Sequence, residues 1–397
     1  MNLPRVLFLT SEAPHTAAAG AIVFHRLFRD YPADRLLVVT NTPAPAGAGR
    51  LDCTYATMPL AVDRLNRTRF WPWRTAARVL GGASLIRLAR VDRVLAGFIP
   101  DIVVTLMQDS WYYDLAARYA RARGLPLVLF IHDVASGFEP VAAWLQPRQR
   151  KRDAAIYRQA ARRLCISRGM ADYFQREFGA AGEVLAPPRA DDTPAQAPEN
   201  CRRLKQGNRL TLGYAGGLHY GYGEQLLQML PVLRRTGTAV EIFGPPPGGK
   251  LEALRAAGDV LHFHGYAPTP EEAWRGLLTR CDALLQPYLN PPGGHERQYL
   301  THFPSKLGDC LASGLPLLVT GPAGASGMAW CLDHPGCALT VTSPEPTALD
   351  AALRRLNAEP ELRVTLARAA QHHAASFDPA PLRAQLYALL SDVAPAR

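Results

Sequence analysis

Phe303-Pro304-Ser305-Lys306-Leu307-Gly308-Asp309, running on through Cys310-Leu311-Ala312-Ser313-Gly314-Leu315-Pro316, decides how the rest of the chain is read. The stretch predicts a loop, a short helix and a Gly-Leu-Pro turn into the apolar strand Leu315–Thr320. Proline suits the first helical turn, where a missing N–H costs nothing, so Pro304 marks the helix start. The amides of Ser305, Lys306 and Leu307 are then expected as unpaired donors at the positive end of a helix, which suits a phosphate. Lys306 adds a mobile cation, and Asp309, one turn on, would accept from a sugar hydroxyl. A diphosphate beside a ribose needs those three things. An ordinary helix start with a surface lysine would use the same residues.

Outward from this stretch, short apolar runs alternate with longer helical patterns. Arg5–Thr10, Leu36–Asn41, Asp101–Leu106, Pro126–His132 and Arg162–Ser167 form one series. Leu210–Ala215, Thr238–Phe243, Val260–Phe263, Cys281–Gln286, Leu315–Thr320 and Ala338–Val341 form a second. Such alternation is the mark of βαβ units and a parallel sheet. Between the series lies a stretch rich in Pro, Ala and Asp, from Ala186 to Pro198, which has little to bury and reads as a linker. Ala348–Leu356, Glu361–Ala374 and Pro379–Leu390 read as helices. The economical architecture is α/β, with two doubly wound, Rossmann-like domains facing a central cleft and ligands at the C-terminal ends of the strands. The expected division is a domain over 1–190, a linker over 191–208, a second domain over 209–376 and a final helix over 377–397.

A chain of 397 residues is too long for one core and suits two domains. No apolar run reaches the roughly 18–20 residues that span a bilayer, and Met1-Asn2-Leu3-Pro4 leads straight into a strand-like run rather than a signal peptide. A cytoplasmic protein is expected. The seven Cys, an odd number without Cys-x-x-Cys pairs, fit reduced thiols. The formal charge of +10 is uneven, because residues 1–190 carry 26 Lys+Arg against 15 Asp+Glu, while residues 191–397 carry 18 against 19. An anionic partner for the first half follows, a membrane surface or an acidic substrate. Arg64 to Arg93 holds eight Arg and one Asp around Phe70-Trp71-Pro72-Trp73, and Arg148-Gln149-Arg150-Lys151-Arg152 adds a second cluster. Arg with Trp suits an anionic membrane interface, so association at the inner face of the cytoplasmic membrane is expected. A solvated basic face with the Trp folded inward fits equally. No nucleic-acid motif accompanies the charge.

The Pro-Ser-Lys stretch resembles the donor site of retaining glycosyltransferases of family 4, in the subgroup that writes it Phe-Pro-Ser-Lys-Leu-x-Glu, with Asp309 at the place of the Glu. The resemblance covers nearly the whole chain and is strongest from Leu210 to Thr320. It implies the GT-B fold, with acceptor bound by the first domain, nucleotide-sugar by the second, and the last helix crossing back onto the first. Where such enzymes have Gly-Arg-Leu-x-x-x-Lys-Gly, this chain has Gly216-Gly217-Leu218 and then Tyr222-Gly223, so the two phosphate-gripping cations are replaced by Gly217 and Tyr222. Of the usual acidic pair, the first member falls on Thr301; Glu296, in a Pro/Gly-rich loop, would be a substitute acid or simply a solvated loop residue. His132, leaving the strand Pro126–Ile131 ahead of Asp133, matches the family's His-Asp near the donor sugar. It would supply a hydrogen bond or charge stabilisation at the reacting centre, although a satisfied loop histidine is the plainer reading. Gly20 alone survives of a Gly pair after the first strand. The absence of Gly-x-Gly-x-x-Gly there argues against a dinucleotide enzyme. Tyr266 is expected against the nucleobase.

The reading is therefore a sugar transfer from a nucleotide-sugar to a hydroxyl of a glycan or lipid-linked acceptor, with retention. Lys306 with the amides from Ser305 to Leu307 would hold the diphosphate, Pro304 would shape their turn, and Gly216 and Gly217 would allow its approach. Asp309 would take the ribose, and His132 would line the reacting centre. No cofactor beyond the nucleotide-sugar co-substrate and no metal is called for. Cys331-x2-His334-x2-Cys337 and His262-x-His264 lack the usual zinc spacings and a fourth ligand. Two other readings use the same fold: a protein that binds glycan or nucleotide without transfer, motivated by the missing cations, and a nucleotide-sugar epimerase, which would need cleft acids that the sequence does not offer.

Overall fold

The computed structural model describes residues 3–16, 19–43, 47, 49–60, 71–81, 86–107, 111–132, 142–218, 221–245, 249–288 and 300–395. The described chain separates into two compact units, one of Met1–Ala186, Thr301–Phe303 and Pro379–Arg397, the other of Pro187–Leu300 and Pro304–Asp378.

The first unit is built on seven parallel strands: β1 (Val6–Leu9), β2 (Leu36–Thr40), β3 (Thr54–Thr57), β4 (Ile102–Leu106), β5 (Leu127–Ile131), β6 (Arg162–Cys165) and β7 (Glu183–Val184). Their order is β3-β2-β1-β4-β5-β6-β7. The helices are α1 (Ala19–Phe28), α2 (Trp71–Val79), α3 (Ala89–Leu95), α4 (Trp111–Arg123), α5 (Gln146–Gln159) and α6 (Arg168–Phe178). Strands covered on both faces must be apolar throughout, and β1, β2, β4 and β5 are buried at every position. The five runs expected from sequence are all strands. The edge strands β3 and β7 escaped that reading because β3 is half exposed and β7 has only two residues.

The second unit repeats the winding with β8 (Thr211–Ala215), β9 (Ala239–Phe243), β10 (Leu261–Gly265), β11 (Ala283–Pro287), β12 (Leu317–Thr320) and β13 (Leu339–Val341), all parallel, in the order β10-β9-β8-β11-β12-β13. Its helices are α7 (Tyr222–Thr236), α8 (Pro270–Arg280), α9 (Leu307–Ala312), α10 (Ser326–Asp333), α11 (Pro346–Ala358) and α12 (Pro360–His373). The last helix, α13 (Pro379–Val393), belongs to the first unit, where Leu382, Leu386 and Leu390 join Phe24, Phe28 and the sheet in one core. Among the described residues no helix is long and apolar enough to cross a membrane.

Residues 191–208, read from composition as a linker, are fastened to the second unit. Composition misleads because the anchors are hydrogen bonds to backbone rather than apolar area. The buried Arg363 guanidinium donates to the carbonyls of Cys201 (2.7 Å) and Arg202 (2.8 Å), and the Gln196 amide donates to Ser313 O at 2.9 Å. The Cys201 side chain is buried as well.

Candidate donor site

The loops that leave β8, β9 and β10 at the C-terminal edge of the second sheet are stacked through their backbones. Gly216 N–H donates to Phe243 O at 2.8 Å, and Gly244 N–H donates to Gly265 O at 2.9 Å. A Cβ on Gly244 would stand 2.1 Å from Gly216 O, so only glycine lets these loops approach so closely.

Lys306 reaches over this edge from the turn before α9. Its Nζ donates to Ala215 O at 2.6 Å and lies 3.6 Å from the centre of the Tyr214 ring and 5.3 Å from that of Tyr222. The Tyr214 hydroxyl is tied to Gly217 O at 2.7 Å. Lys306 is half-buried, and the burial of its amine drives the ammonium down to about 7 from its ordinary value of 10.5. Gly216 adopts φ +123°, and a Cβ there would lie 3.5 Å from Lys306 Nζ. The lysine is thus held below by an aromatic face and at one side by a carbonyl, while its flank over Gly216 carries no side chain. Among the described residues that flank is lined only by Nζ and, at 4.0 Å, the Tyr214 hydroxyl, which leaves an approach for an anion. Gly216→Ala fills it and strains a left-handed backbone, by about 1–2 kcal/mol. The variant should lower the melting temperature by a few degrees and weaken diphosphate binding; unchanged affinity in a titration would remove the flank from the site.

Gly216 and Gly217 lie beside Lys306 as expected, while other residues expected at the site have protein partners of their own. Leu307 N–H is not an unpaired donor, since it closes a turn onto Pro304 O at 3.0 Å. The expectation fails there because α9 begins one turn later than Pro304 suggests: Lys306 is its N-cap. Ser305 is half-buried in the same turn and Pro304 is buried. Asp309 is 3% exposed, and its Oδ1 accepts from Ala190 N–H and from the Thr193 hydroxyl, both at 2.8 Å. In place of the expected ribose contact, that oxygen clips residues 190–193 to α9. Asp309→Ala should therefore cost about 1–3 kcal/mol of stability, read as a lower melting midpoint, with little change in nucleotide affinity. A large loss of affinity at unchanged stability would restore the ribose role.

Tyr266, expected against the nucleobase, is 78% exposed beyond β10. In the first unit, His132 follows β5 with its ring stacked flat on Phe24 at 4.7 Å and edge-on to Phe130 at 6.0 Å. The bare position at Gly20, in the first turn of α1, is taken by Glu12: a Cβ there would stand 2.4 Å from Glu12 Oε1. Glu296, Asp133, residues 61–70 and residues 82–85 lie outside the described residues.

The His262-x-His264 pair does share a face. Both rings bond the buried Glu241 carboxylate, His262 Nδ1 at 2.7 Å. Burial alone would push Glu241 up, and the two imidazoles outweigh it, leaving the carboxyl below its ordinary value. His334, between Cys331 and Cys337, has its Nδ1 on Trp330 O at 2.7 Å and its ring stacked on Trp330. Among the described residues no three His, Cys, Asp or Glu are arranged to hold a metal ion.

Sequence reasoning missed Tyr214 and the Ala215 carbonyl, and took Tyr222 only as a lost lysine. The three make the enclosure of Lys306, and nothing local in sequence pairs them with a residue more than eighty positions away.

Residues 20–190 match the glycosyl transferase 4-like domain. A comparison with curated proteins gives no match. Solved structures resemble the chain over nearly its full length. HepE of Anabaena, in complex with UDP and glucose, has a TM-score of 0.66 at 15% identity, over 98% of this chain and 99% of its own. WaaG, a glycosyltransferase involved in lipopolysaccharide biosynthesis, has 0.65 at 18%, over 97% and 99%. Sucrose-phosphate synthase from Thermosynechococcus elongatus has 0.68 at 13%, over 97% and 98%. At these identities the likeness establishes the fold, which is GT-B: two Rossmann-like units with parallel sheets.

Proposed function

We propose that the chain is a retaining glycosyltransferase that moves a sugar from a nucleotide-sugar to a hydroxyl of a glycan or lipid-linked acceptor, in the synthesis of a surface polysaccharide. The observation that carries the reading is Lys306 Nζ, held at the C-terminal edge of the second sheet with its Gly216 flank bare. The glycosyl transferase 4-like match over residues 20–190 and the UDP complex of the HepE relative support it. In this reading Lys306 and the amides of the Ser305 turn take the diphosphate, and His132 stabilises charge at the sugar. No paired carboxylates are asked to form a covalent intermediate, because the departing diphosphate takes the acceptor proton on the face it leaves. The diphosphate charge is met by Lys306 and amides, so no metal enters the scheme.

The test is a thermal-shift panel of UDP, GDP, ADP and TDP and their sugars, followed by the anomeric configuration of any product. A nucleotide that binds the native state raises the melting temperature by mass action. Stabilisation by one base, with slow hydrolysis of its sugar nucleotide, supports transfer. Binding without turnover of any donor favours a non-catalytic GT-B protein, a reading to which the engaged Asp309 and the Gly217 and Tyr222 replacements lend weight.

Membrane association is part of the same proposal. Trp73 on α2 and Trp144 beside α5 are 73% and 71% exposed, and Val79 packs against Leu145, so the two tryptophans sit on adjoining elements. Arg148, Arg150 and Lys151 are exposed on α5. Sedimentation with phosphatidylserine vesicles should fall roughly tenfold in Trp73→Ala/Trp144→Ala and fall with added salt. Equal sedimentation with neutral vesicles would exclude the surface.

A further inference from the structure

The chain makes its cations almost entirely of arginine. Of 44 basic residues only Lys151, Lys205, Lys250 and Lys306 are lysines. Arginine stays charged in proteins, whereas an enclosed lysine can shed its proton. One of the four lysines stands at the proposed donor site, where a permanent cation would serve a diphosphate at least as well by charge alone. Its surroundings give a reason.

We propose that Tyr214 is a positioning residue that parks the Lys306 side chain on its ring face, so that a diphosphate reaching Nζ arrives together with a proton. The inference rests on the donor-site reading given above. The Tyr214 ring is buried and cannot swing, because its hydroxyl is anchored on Gly217 O at 2.7 Å. It presents its π face 3.6 Å from Nζ, and the Ala215 carbonyl takes one N–H. Among the described residues the groups that face the amine are Tyr214 on β8, Tyr222 on α7 and the Cys310 thiol on α9. Asp309, three residues on, has its Oδ1 on Ala190 N–H and the Thr193 hydroxyl. Burial pushes the Cys310 thiol up to about 12, so it is neutral at physiological pH. Among the described residues no carboxylate pairs with the ammonium. A π face stabilises it only partly, by about 0.5–2 kcal/mol, and burial opposes it. A diphosphate brings the missing countercharge and draws the amine to its protonated form. The step balances: one proton passes from solvent to Nζ, and the ligand's negative charge pairs with the new ammonium.

The test uses the full chain with ε-13C-labelled lysine, whose four signals are assigned with Lys306→Met and followed between about pH 5 and pH 11. In the free protein the Lys306 signal should titrate near neutrality. Tyr214→Phe, which keeps the ring, should leave that midpoint in place. Tyr214→Leu, which keeps the bulk and loses the π face, should lower it by about one unit. UDP should raise it by one unit or more, and calorimetry of UDP binding in Tris and in PIPES should report net proton uptake. A Lys306 midpoint in the ordinary lysine range, or the same midpoint in the Leu and Phe variants, overturns the proposal. If the Leu variant does not fold, calorimetry on the wild type decides, and binding without proton uptake overturns it. A protein that binds UDP with a Lys306 of ordinary midpoint loses this inference and keeps its proposed function. Failure of UDP, GDP, ADP and TDP all to bind ends both.

Discussion

Lys306→Met is expected to weaken nucleoside diphosphate binding by about 30-fold or more while making the free protein more stable at neutral pH. The loss follows from removing one partner of a desolvated charge pair, which costs about 2–5 kcal/mol, at tenfold per 1.4 kcal/mol. The gain follows from linkage. In the folded protein burial pushes Lys306 down to about 7, below its ordinary 10.5. Below pH 7 it is charged whether folded or unfolded, and the cost of enclosing the charge is fully present. Between pH 7 and the ordinary value the unfolded chain holds more protons, so stability rises with pH. Methionine fills the same space without the charge and should remove on the order of 2 kcal/mol of penalty near pH 7, or about 5 °C of melting temperature for the second unit. The advantage should shrink as the pH approaches 10. Equilibrium titration with UDP and a pH series of melting curves check both halves. A variant that binds as wild type removes Lys306 from the site. A variant no more stable than wild type at pH 7 means the ammonium is solvated.

Asp114→Ala is expected to be the most destabilising single change in the first unit, at about 3–5 kcal/mol. Asp114, in the first turn of α4, is fully buried between two guanidinium groups: Arg152 of α5 lies 2.6 Å from Oδ1, and the buried Arg78 of α2 lies 3.5 Å from Oδ2. Burial raises the Asp114 carboxyl, and the two arginines hold it back. The neighbouring Asp153, pushed to about 7 chiefly by burial, with Arg78 opposing and Asp114 adding to the rise, is only partly ionised at neutral pH. Asp114 is thus the main countercharge of the cluster. Removing it leaves the buried Arg78 and the half-buried Arg152 opposed only by the partly ionised Asp153 and releases α2 from α4 and α5. The melting temperature should fall by roughly 10 °C. Asp172→Ala is the control, because the Arg168–Asp172 pair is solvent-exposed on α6 and such pairs contribute about 0.5 kcal/mol or less. Equal melting of the two variants would mean that water reaches the Asp114 cluster. Because α2 carries Trp73, the same variant should also lose vesicle binding if that surface is the membrane contact.

The fold was legible because its signal is local. A strand covered on both faces must be continuously apolar, and a helix packed on one side must repeat its apolar residues at helical spacing. Eleven strands were legible from their apolar runs, and the last three helices from their spacing. What the pattern could not show were β3 and β7, whose exposure or shortness erases the signal. It also missed the packing of residues 191–208, which are held by Arg363 and Asp309 rather than by apolar side chains.

The site divides along the same line. Sequence alone determined that a lysine follows Pro-Ser at a helix start next to a strand, and that glycines end β8. Only tertiary structure decided what those residues do. Lys306 meets Tyr214 and Ala215 because β8 lies beside β11 in the sheet, with the turn before α9 placed over the loop that leaves it. Asp309 meets residues 190 and 193, which precede it by 119 and 116 positions, because that stretch runs beside α9. The Gly20 position faces Glu12 because the loop after β1 folds back onto α1. Residue type and spacing carry the chemistry available to a side chain. Its charge state and its partners are set by neighbours that the sheet topology supplies, and those lie too far along the chain for any local pattern to record.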